Sequence, residues 1–236
     1  MTSPDDQIAA NLSGVQHRIS EACAASDRSP AEITLVAVTK YARPEWVAGL
    51  VRHGVRDLGE SRPQQLARRA PAYADTLQWH LIGQLQRNKV RGTLPLTAMI
   101  HSVDSHRLLD RIDRLAGQDG LRPNILLEVN VSGETAKSGF APQELLDHWT
   151  HIRASAHAQI QGLMTMAPRV EHPEQTRTVF RDLRDLRDRL RDAEHDSEIL
   201  PELSMGMSAD FEVAIQEGAT LVRVGSRLFE GLASDD

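Results

Sequence analysis

The feature that most restricts the fold of this chain is a regular alternation of short apolar segments with longer segments of helical period. Strands that alternate with helices form parallel sheets, and eight such strands predict an α/β fold of the (β/α)8 TIM-barrel type. A doubly wound open sheet is the alternative, but it predicts a glycine-rich loop after the first strand, where VTKYARPEW contains no glycine. The predicted strands are 33–39, 57–60, 78–83, 99–103, 125–131, 160–165, 202–205 and 221–224.

Helical patterns separate most of these strands. The first precedes the barrel and places Ile8, Leu12 and Val15 on one face, which predicts an extra N-terminal helix over 5–26. We therefore expect one domain over 1–236, with the N-terminal helix in 1–30 and the barrel in 31–232. The other predicted helices are 44–53, 105–117 with Ser105 as N-cap and an end at Gly117, 141–156, 176–195 and 208–218.

Composition narrows the class of protein. The chain has 236 residues, of which 40% are hydrophobic, and this supports one core. A net charge of −6 argues against nucleic acid and anionic membranes as partners. A single cysteine, Cys23, excludes a disulfide framework within the chain. No signal peptide or membrane-spanning stretch is evident, so we expect a cytoplasmic protein, as a monomer.

Metal binding is not predicted. The ten histidines show no HxH or HExxH spacing. His80 and His101 fall on predicted strands three and four, and we interpret them as structural or pocket-lining residues.

Glycine and serine follow the last two strands, at the barrel end where such folds place their sites. Gly206 and Ser208 follow strand seven, and Gly225 and Ser226 follow strand eight. Glycine permits close backbone approach to an anion, and serine offers a hydroxyl donor. The pattern predicts a phosphate site with Ser208 as a helix N-cap, although each pair alone is also typical of an ordinary turn.

Lys40 continues the first strand toward this predicted phosphate site. Desolvation would lower the proton affinity of its amine and make it a nucleophile toward carbonyls. An aldehyde that carries a phosphate, such as pyridoxal 5′-phosphate (PLP), would satisfy both ends of the site. Arg223 shares the face of Gly225 and could donate to the pyridine nitrogen, which would then stay unprotonated. The alternatives are a solvated Lys40 and an Arg223 paired with Glu128 or Glu202.

Several motifs together resemble a known family. LVAVTK, WHLIGQLQRNK, HSVD, NVSGETAKSGF, LSMGMSADFEVAI and VRVGSRLF are similar to segments of the pyridoxal-phosphate homeostasis proteins. These are single-domain relatives of the N-terminal barrel of bacterial alanine racemases. The similarity runs from about residue 33 to residue 231. This chain departs from many members at Ser61, where they read GEN, and at Gln84, where they read GPLQ.

The resemblance implies roles for particular residues. It implies that Lys40 carries PLP as an internal aldimine (a Schiff base) and that Arg223 faces the pyridine nitrogen. Lys89 and Lys137 match family lysines near the site, and the resemblance implies a part for them in cofactor transfer. The phosphate contacts that it implies are Ser208, Gly225 and Ser226, with backbone from Gly206 or Met207.

Three functions remain open at this stage. The first is a non-enzymatic PLP-binding protein for PLP homeostasis, which holds PLP and releases it to PLP-dependent apo-enzymes. The second is a PLP-dependent, racemase-like enzyme, which needs a second base; the racemases draw it from a second domain, and here Tyr41 is expected to point away from Lys40. The third is a barrel that binds another phosphorylated ligand and uses Lys40 only as a charge.

Overall fold

The eight predicted strands are present, and they pair in sequence order to form a closed parallel barrel. The computed structural model describes residues 3–73, 76–134 and 137–232. Ala37 of the first strand lies opposite Val224 of the last, and this closure excludes the open-sheet alternative. The strands are β1 (Thr34–Val38), β2 (Asp57–Glu60), β3 (Gln78–Leu81), β4 (Met99–Val103), β5 (Asn124–Glu128), β6 (Gln159–Met164), β7 (Glu202–Met207) and β8 (Leu221–Val224).

Helices surround the barrel. None of those in the described ranges has the length and hydropathy that crossing a bilayer requires. Two short helices, α3 and α4, were not predicted, because four to seven residues carry too little helical periodicity. The helices are α1 (Pro4–Ala24), α2 (Pro44–Arg52), α3 (Pro63–Arg69), α4 (Val90–Thr93), α5 (His106–Asp119), α6 (Pro142–Arg153), α7 (Arg177–Glu194) and α8 (Phe211–Gln216).

Two residues that were predicted to begin or end a helix do not do so. Gly117 does not end α5, which continues to Asp119 and stops at Gly120, a residue with φ of 68°. A Cβ at Gly117 would lie 2.5 Å from the His157 ring, so this glycine is needed for packing rather than for termination. Ser208 is not the N-cap of α8, because that helix begins three residues later.

The N-terminal helix α1 is part of the barrel's outer layer. Its predicted apolar face is buried, and the helix packs against α2, α8 and the 3-10 turn Ser226–Phe229. Asn11 Nδ2 donates to the carbonyls of Leu228 and Glu230, at 3.2 and 2.9 Å. This helix therefore supports the chain segment that follows β8.

The barrel interior is divided between apolar and polar side chains. A small inner cluster contains Val36, Leu126, Met164 and Leu221 from four different strands, separate from the large core between strands and helices. The remaining inward positions include buried histidine, serine, glutamate and arginine side chains. Because buried polar groups need partners, these side chains must be hydrogen-bonded within the barrel.

Candidate functional site

The two glycine–serine segments meet at the C-terminal rim of the barrel. Ser208 Oγ accepts a hydrogen bond from the Gly225 N–H at 3.0 Å. Arg227 Nε donates to the Ser208 carbonyl. On the other side, a Cβ at Gly225 would lie 3.2 Å from Val38 Cβ, so the end of β1 adjoins the same turn. The predicted convergence of β1, β7 and β8 is confirmed.

The backbone at the end of β7 depends on Gly206 and on Asp210, and the sequence motifs indicated only the first of these. Gly206 has φ of 88°, and a Cβ there would lie 2.5 Å from Ala214 Cβ, so only glycine fits. The Met207 N–H donates to Asp210 Oδ1 at 2.7 Å. Burial raises the pKa of Asp210. Asp210, rather than Ser208, therefore organises the backbone between β7 and α8.

Lys40 lies in a turn directly after β1, closed by the Ala42 N–H bond to the Thr39 carbonyl at 2.9 Å. Its side chain is exposed, so the expected desolvation of the amine is wrong in this structure. Lys40 Nζ lies 5.2 Å from the centroid of the Tyr41 ring, so the expectation that Tyr41 points away is also wrong. The reason is that β1 ends at Val38, and strand alternation does not extend into the turn.

A helix residue holds this turn in place. Arg69, at the end of α3, donates from its two Nη atoms to the carbonyls of Thr39 and Ala42, each at 2.6 Å. Gln65 Nε2 donates to the Lys40 carbonyl at 3.3 Å. The backbone on both sides of Lys40 is thereby fixed, while its side chain is exposed.

The same arginine pairs with a buried acid. Arg69 Nη1 lies 3.0 Å from Glu60 Oε2, at the end of β2. The Ser61 N–H donates to the other carboxylate oxygen at 3.0 Å. Burial outweighs both contacts and raises the pKa of Glu60. The end of β2 thus supports the Lys40 turn through Arg69.

Arg223 is buried under the rim. Its Nη1 donates to Ser204 Oγ at 2.5 Å, and its Nη2 donates to the Thr165 carbonyl at 2.9 Å. Among the described residues it forms no ion pair, so the alternative pairing with Glu128 or Glu202 is wrong. Burial lowers the pKa of Arg223 to about 10, which keeps the guanidinium charged at neutral pH.

Glu128 borders a cavity of about 160 Å³ on the β5–β6 side of the rim, which Lys137 also lines. Burial and the nearby Asp104 raise the pKa of Glu128 to about 7, against the opposing effect of Arg223. Lys137 Nζ pairs with Glu134 at 2.6 Å and donates to the Met166 carbonyl at 3.3 Å.

A larger groove, of about 700 Å³, lies outside the barrel between the loop after β3 and α5. None of the predicted cofactor residues lines it. Its lining residues are Arg87, Asn88, Arg107, Asp110, Arg111 and Arg114.

Comparison with known sequences gives the family. The family model described as "Alanine racemase, N-terminal domain" matches residues 10–232. A protein of Aquifex aeolicus named "Pyridoxal phosphate homeostasis protein" is 40% identical over 219 residues, covering 92% of this chain and 95% of the relative. This chain belongs to the pyridoxal phosphate homeostasis protein family. A member from Pseudomonas aeruginosa is 38% identical over 225 residues, covering 94% of each chain.

Solved structures agree with the family assignment. An unknown protein from Bifidobacterium adolescentis superposes with a TM-score of 0.86 at 35% identity, covering 95% of both chains. PipY of Synechococcus elongatus, solved with PLP bound, gives 0.77 at 33% identity, covering 89% of this chain and 99% of PipY. An alanine racemase of Clostridium difficile gives 0.75 at 16% identity, covering 98% of this chain and 58% of the racemase, and shares the fold.

Proposed function

We propose that this member of the homeostasis family binds PLP at the C-terminal rim of its barrel, holds it reversibly and releases it to PLP-dependent apo-enzymes without catalytic turnover. One observation carries the proposal: the strand ends that bear Lys40, Ser208 and Gly225 adjoin one another, above the buried Arg223. The PLP-bound structure of PipY, at 33% identity, supports the choice of ligand.

The residues at the rim fit the chemical groups of PLP. When bound, PLP supplies an aldehyde and an electron-withdrawing pyridine ring. The Lys40 amine, which is exposed in this structure, is the rim group that would bond to the aldehyde. The Ser208 and Ser226 hydroxyls are the phosphate donors, and the Gly225 N–H positions Ser208 through its bond to Oγ. The bonds of Arg223 to Ser204 and Thr165 use two of its five N–H donors, so others remain for the ring nitrogen.

The charge state of Arg223 disfavours PLP chemistry that needs a strong electron sink. With a pKa of about 10, its guanidinium donates hydrogen bonds at neutral pH but does not transfer a proton to the ring. A pyridine nitrogen that stays neutral is a weak electron sink, and this disfavours carbanion chemistry.

A racemase-like enzyme is the second candidate, and one contact favours it. The 5.2 Å between Lys40 Nζ and the Tyr41 ring places a phenol near the amine. The other tyrosine, Tyr73, donates to the Pro44 carbonyl at 3.4 Å and packs against Trp79. Tyr41 is therefore the tyrosine to test as a second base.

Locating the attachment point tests PLP binding. The sequence contains three lysines, Lys40, Lys89 and Lys137, so borohydride reduction followed by peptide mass spectrometry has few side chains to distinguish. We expect the adduct on Lys40, loss of the visible PLP absorbance band in Lys40→Ala, and its retention in Lys89→Ala. An adduct only on Lys137 would refute Lys40 as the attachment point. Absence of any band or adduct would favour another phosphorylated ligand.

Turnover separates the two PLP hypotheses. We expect the PLP-loaded protein to racemise L-alanine no faster than free PLP at the same concentration, as measured by chiral chromatography. Racemisation well above that level that is lost in Tyr41→Phe would establish the enzyme and overturn the carrier. Faster reactivation of a PLP-dependent apo-enzyme by the loaded protein than by its Lys40→Ala variant would support delivery.

A further inference from the structure

Beneath the rim, a continuous chain of hydrogen-bonded side chains crosses the barrel interior. Asp57 Oδ1 lies 3.0 Å from His80 Nε2, and His80 Nδ1 lies 2.9 Å from His101 Nε2. His101 Nδ1 lies 2.8 Å from Ser204 Oγ. Ser204 Oγ in turn accepts from Arg223 Nη1 at 2.5 Å. Five strands thus contribute one member each to a single path.

The hydrogen-bonded path runs from a partly exposed residue at the start of β2 to the buried Arg223. Asp57 is the first residue of β2, and its side chain is 31% exposed, whereas His80, His101 and Ser204 are buried. Arg223 lies near the C-terminal end of β8. Polar groups that are removed from water at this depth are costly unless each is hydrogen-bonded, so the order of donors and acceptors along the path matters.

Donor and acceptor chemistry gives the chain one direction. Arginine has only donors, so Ser204 Oγ accepts from Arg223, and the hydroxyl proton is left for His101 Nδ1. His101 then carries its proton on Nε2 and donates to His80 Nδ1. His80 likewise donates from Nε2 to the Asp57 carboxylate. With both rings neutral, every proton on the path has an acceptor.

The opposite direction of donation leaves one proton without an acceptor. If His80 were an imidazolium, His101 would donate from Nδ1 to Ser204, and Ser204 would accept twice. Its own proton would then lack an acceptor among the contacts of the described residues. Burial, with smaller effects from His80 and Arg223, holds the pKa of His101 well below its usual value, which is consistent with a neutral His101 ring.

We propose that Ser204, His101 and His80 are positioning residues that fix the guanidinium of Arg223 in one orientation. Nη1 is hydrogen-bonded to Ser204 and Nη2 to the Thr165 carbonyl, so the direction of the remaining N–H donors is fixed. That these donors face a pyridine nitrogen rests on the proposed function. The orientation of the guanidinium follows from contacts within the protein alone.

The first test needs no cofactor. Long-range ¹H–¹⁵N correlation spectra of the full-length protein with ¹⁵N-labelled histidine report which ring nitrogen carries the proton. We expect His80 and His101 to be neutral and protonated at Nε2 at pH 7. A proton on His101 Nδ1, or an imidazolium at His80, would overturn the directed chain.

A matched pair of variants gives the second test. In His101→Asn the amide oxygen takes the place of Nδ1 and can accept from Ser204, whereas in His101→Gln the amide lies where Nε2 was. With ring-¹⁵N PLP bound, we expect the wild-type pyridine ¹⁵N shift in His101→Asn and a changed shift in His101→Gln and Ser204→Ala. Affinity for PLP should fall about tenfold in the latter two.

The outcomes separate the positioning role of these buried residues from the proposed binding of PLP. A wild-type ¹⁵N shift in all three variants, or the same change in both His101 variants, would overturn the positioning role. Failure of the wild-type protein to bind PLP would refute the proposed function, while the histidine protonation measurement would still decide the chain. If the variants do not fold, as judged by thermal melting, the histidine protonation measurement on the wild-type protein still tests the direction of the hydrogen-bonded path.

Discussion

The Arg69 guanidinium joins Glu60 to the turn that presents Lys40. It lies 3.0 Å from the Glu60 carboxylate and 2.6 Å from the Thr39 carbonyl, 30 residues away in sequence. One buried acid at the end of β2 therefore helps to set the backbone of the predicted nucleophile at the end of β1.

Arg69→Gln should lower the free energy of unfolding by about 3 kcal/mol, because it leaves the Glu60 carboxylate buried without its cation. Glu60→Gln should cost less, since an amide needs no charged partner. Urea denaturation of both variants and of the double variant measures this. A larger loss in Glu60→Gln than in Arg69→Gln would contradict the buried-charge explanation.

Glu128→Gln should change how stability depends on pH. The folded pKa of Glu128 is about 7, against 4.5 for the free side chain, so between these values the folded state binds more protons. Stability therefore falls as pH rises through this window, by up to roughly 3 kcal/mol above pH 7. We expect Glu128→Gln to exceed wild type in stability at pH 8 and to show no gain at pH 4.5.

Urea denaturation at both pH values checks this expectation. Glu171→Gln, at an exposed carboxylate, is the matched control and should differ little from wild type at either pH. An equal gain for Glu128→Gln at pH 4.5 and pH 8 would show that its titration is not the cause.

Gly206→Ala should destabilise the protein by about 3 kcal/mol, because the backbone has φ of 88° and the new Cβ would lie 2.5 Å from Ala214 Cβ. Gly14→Ala is the control: it lies within α1 with no atom within 4 Å of a built Cβ. That change should stabilise the helix by up to about 1 kcal/mol. Thermal melting that ranks the two variants in the opposite order would contradict the geometry.

Ser208→Ala should weaken binding of PLP about tenfold, because it removes one hydroxyl from the predicted phosphate site. Pyridoxal, which lacks the phosphate, is the matched ligand and should bind wild type and variant equally. Fluorescence titration with both ligands tests this. Equal losses for PLP and pyridoxal would mean that Ser208 acts through the fold, by way of its bond to the Gly225 N–H.

Much of the architecture could be predicted because strand and helix periodicities are local properties of the chain. The bounds of β2, β4 and β8 agree with the sequence-based prediction residue for residue. The environment of Lys40 could not be predicted in this way. Where β1 ends depends on its pairing with β2 and β8, and that pairing stops before Lys40. The short pattern VTK carries no information about this point.

The sequence by itself determined the alternation of eight strands with helices and the glycine–serine turns that follow the last two strands, since both follow from local backbone preferences. Only the tertiary structure decided the partners of the buried cation. Ser204, His101 and Arg223 lie on β7, β4 and β8, and their side chains meet only because closure of the barrel turns inward-facing positions of distant strands toward one another.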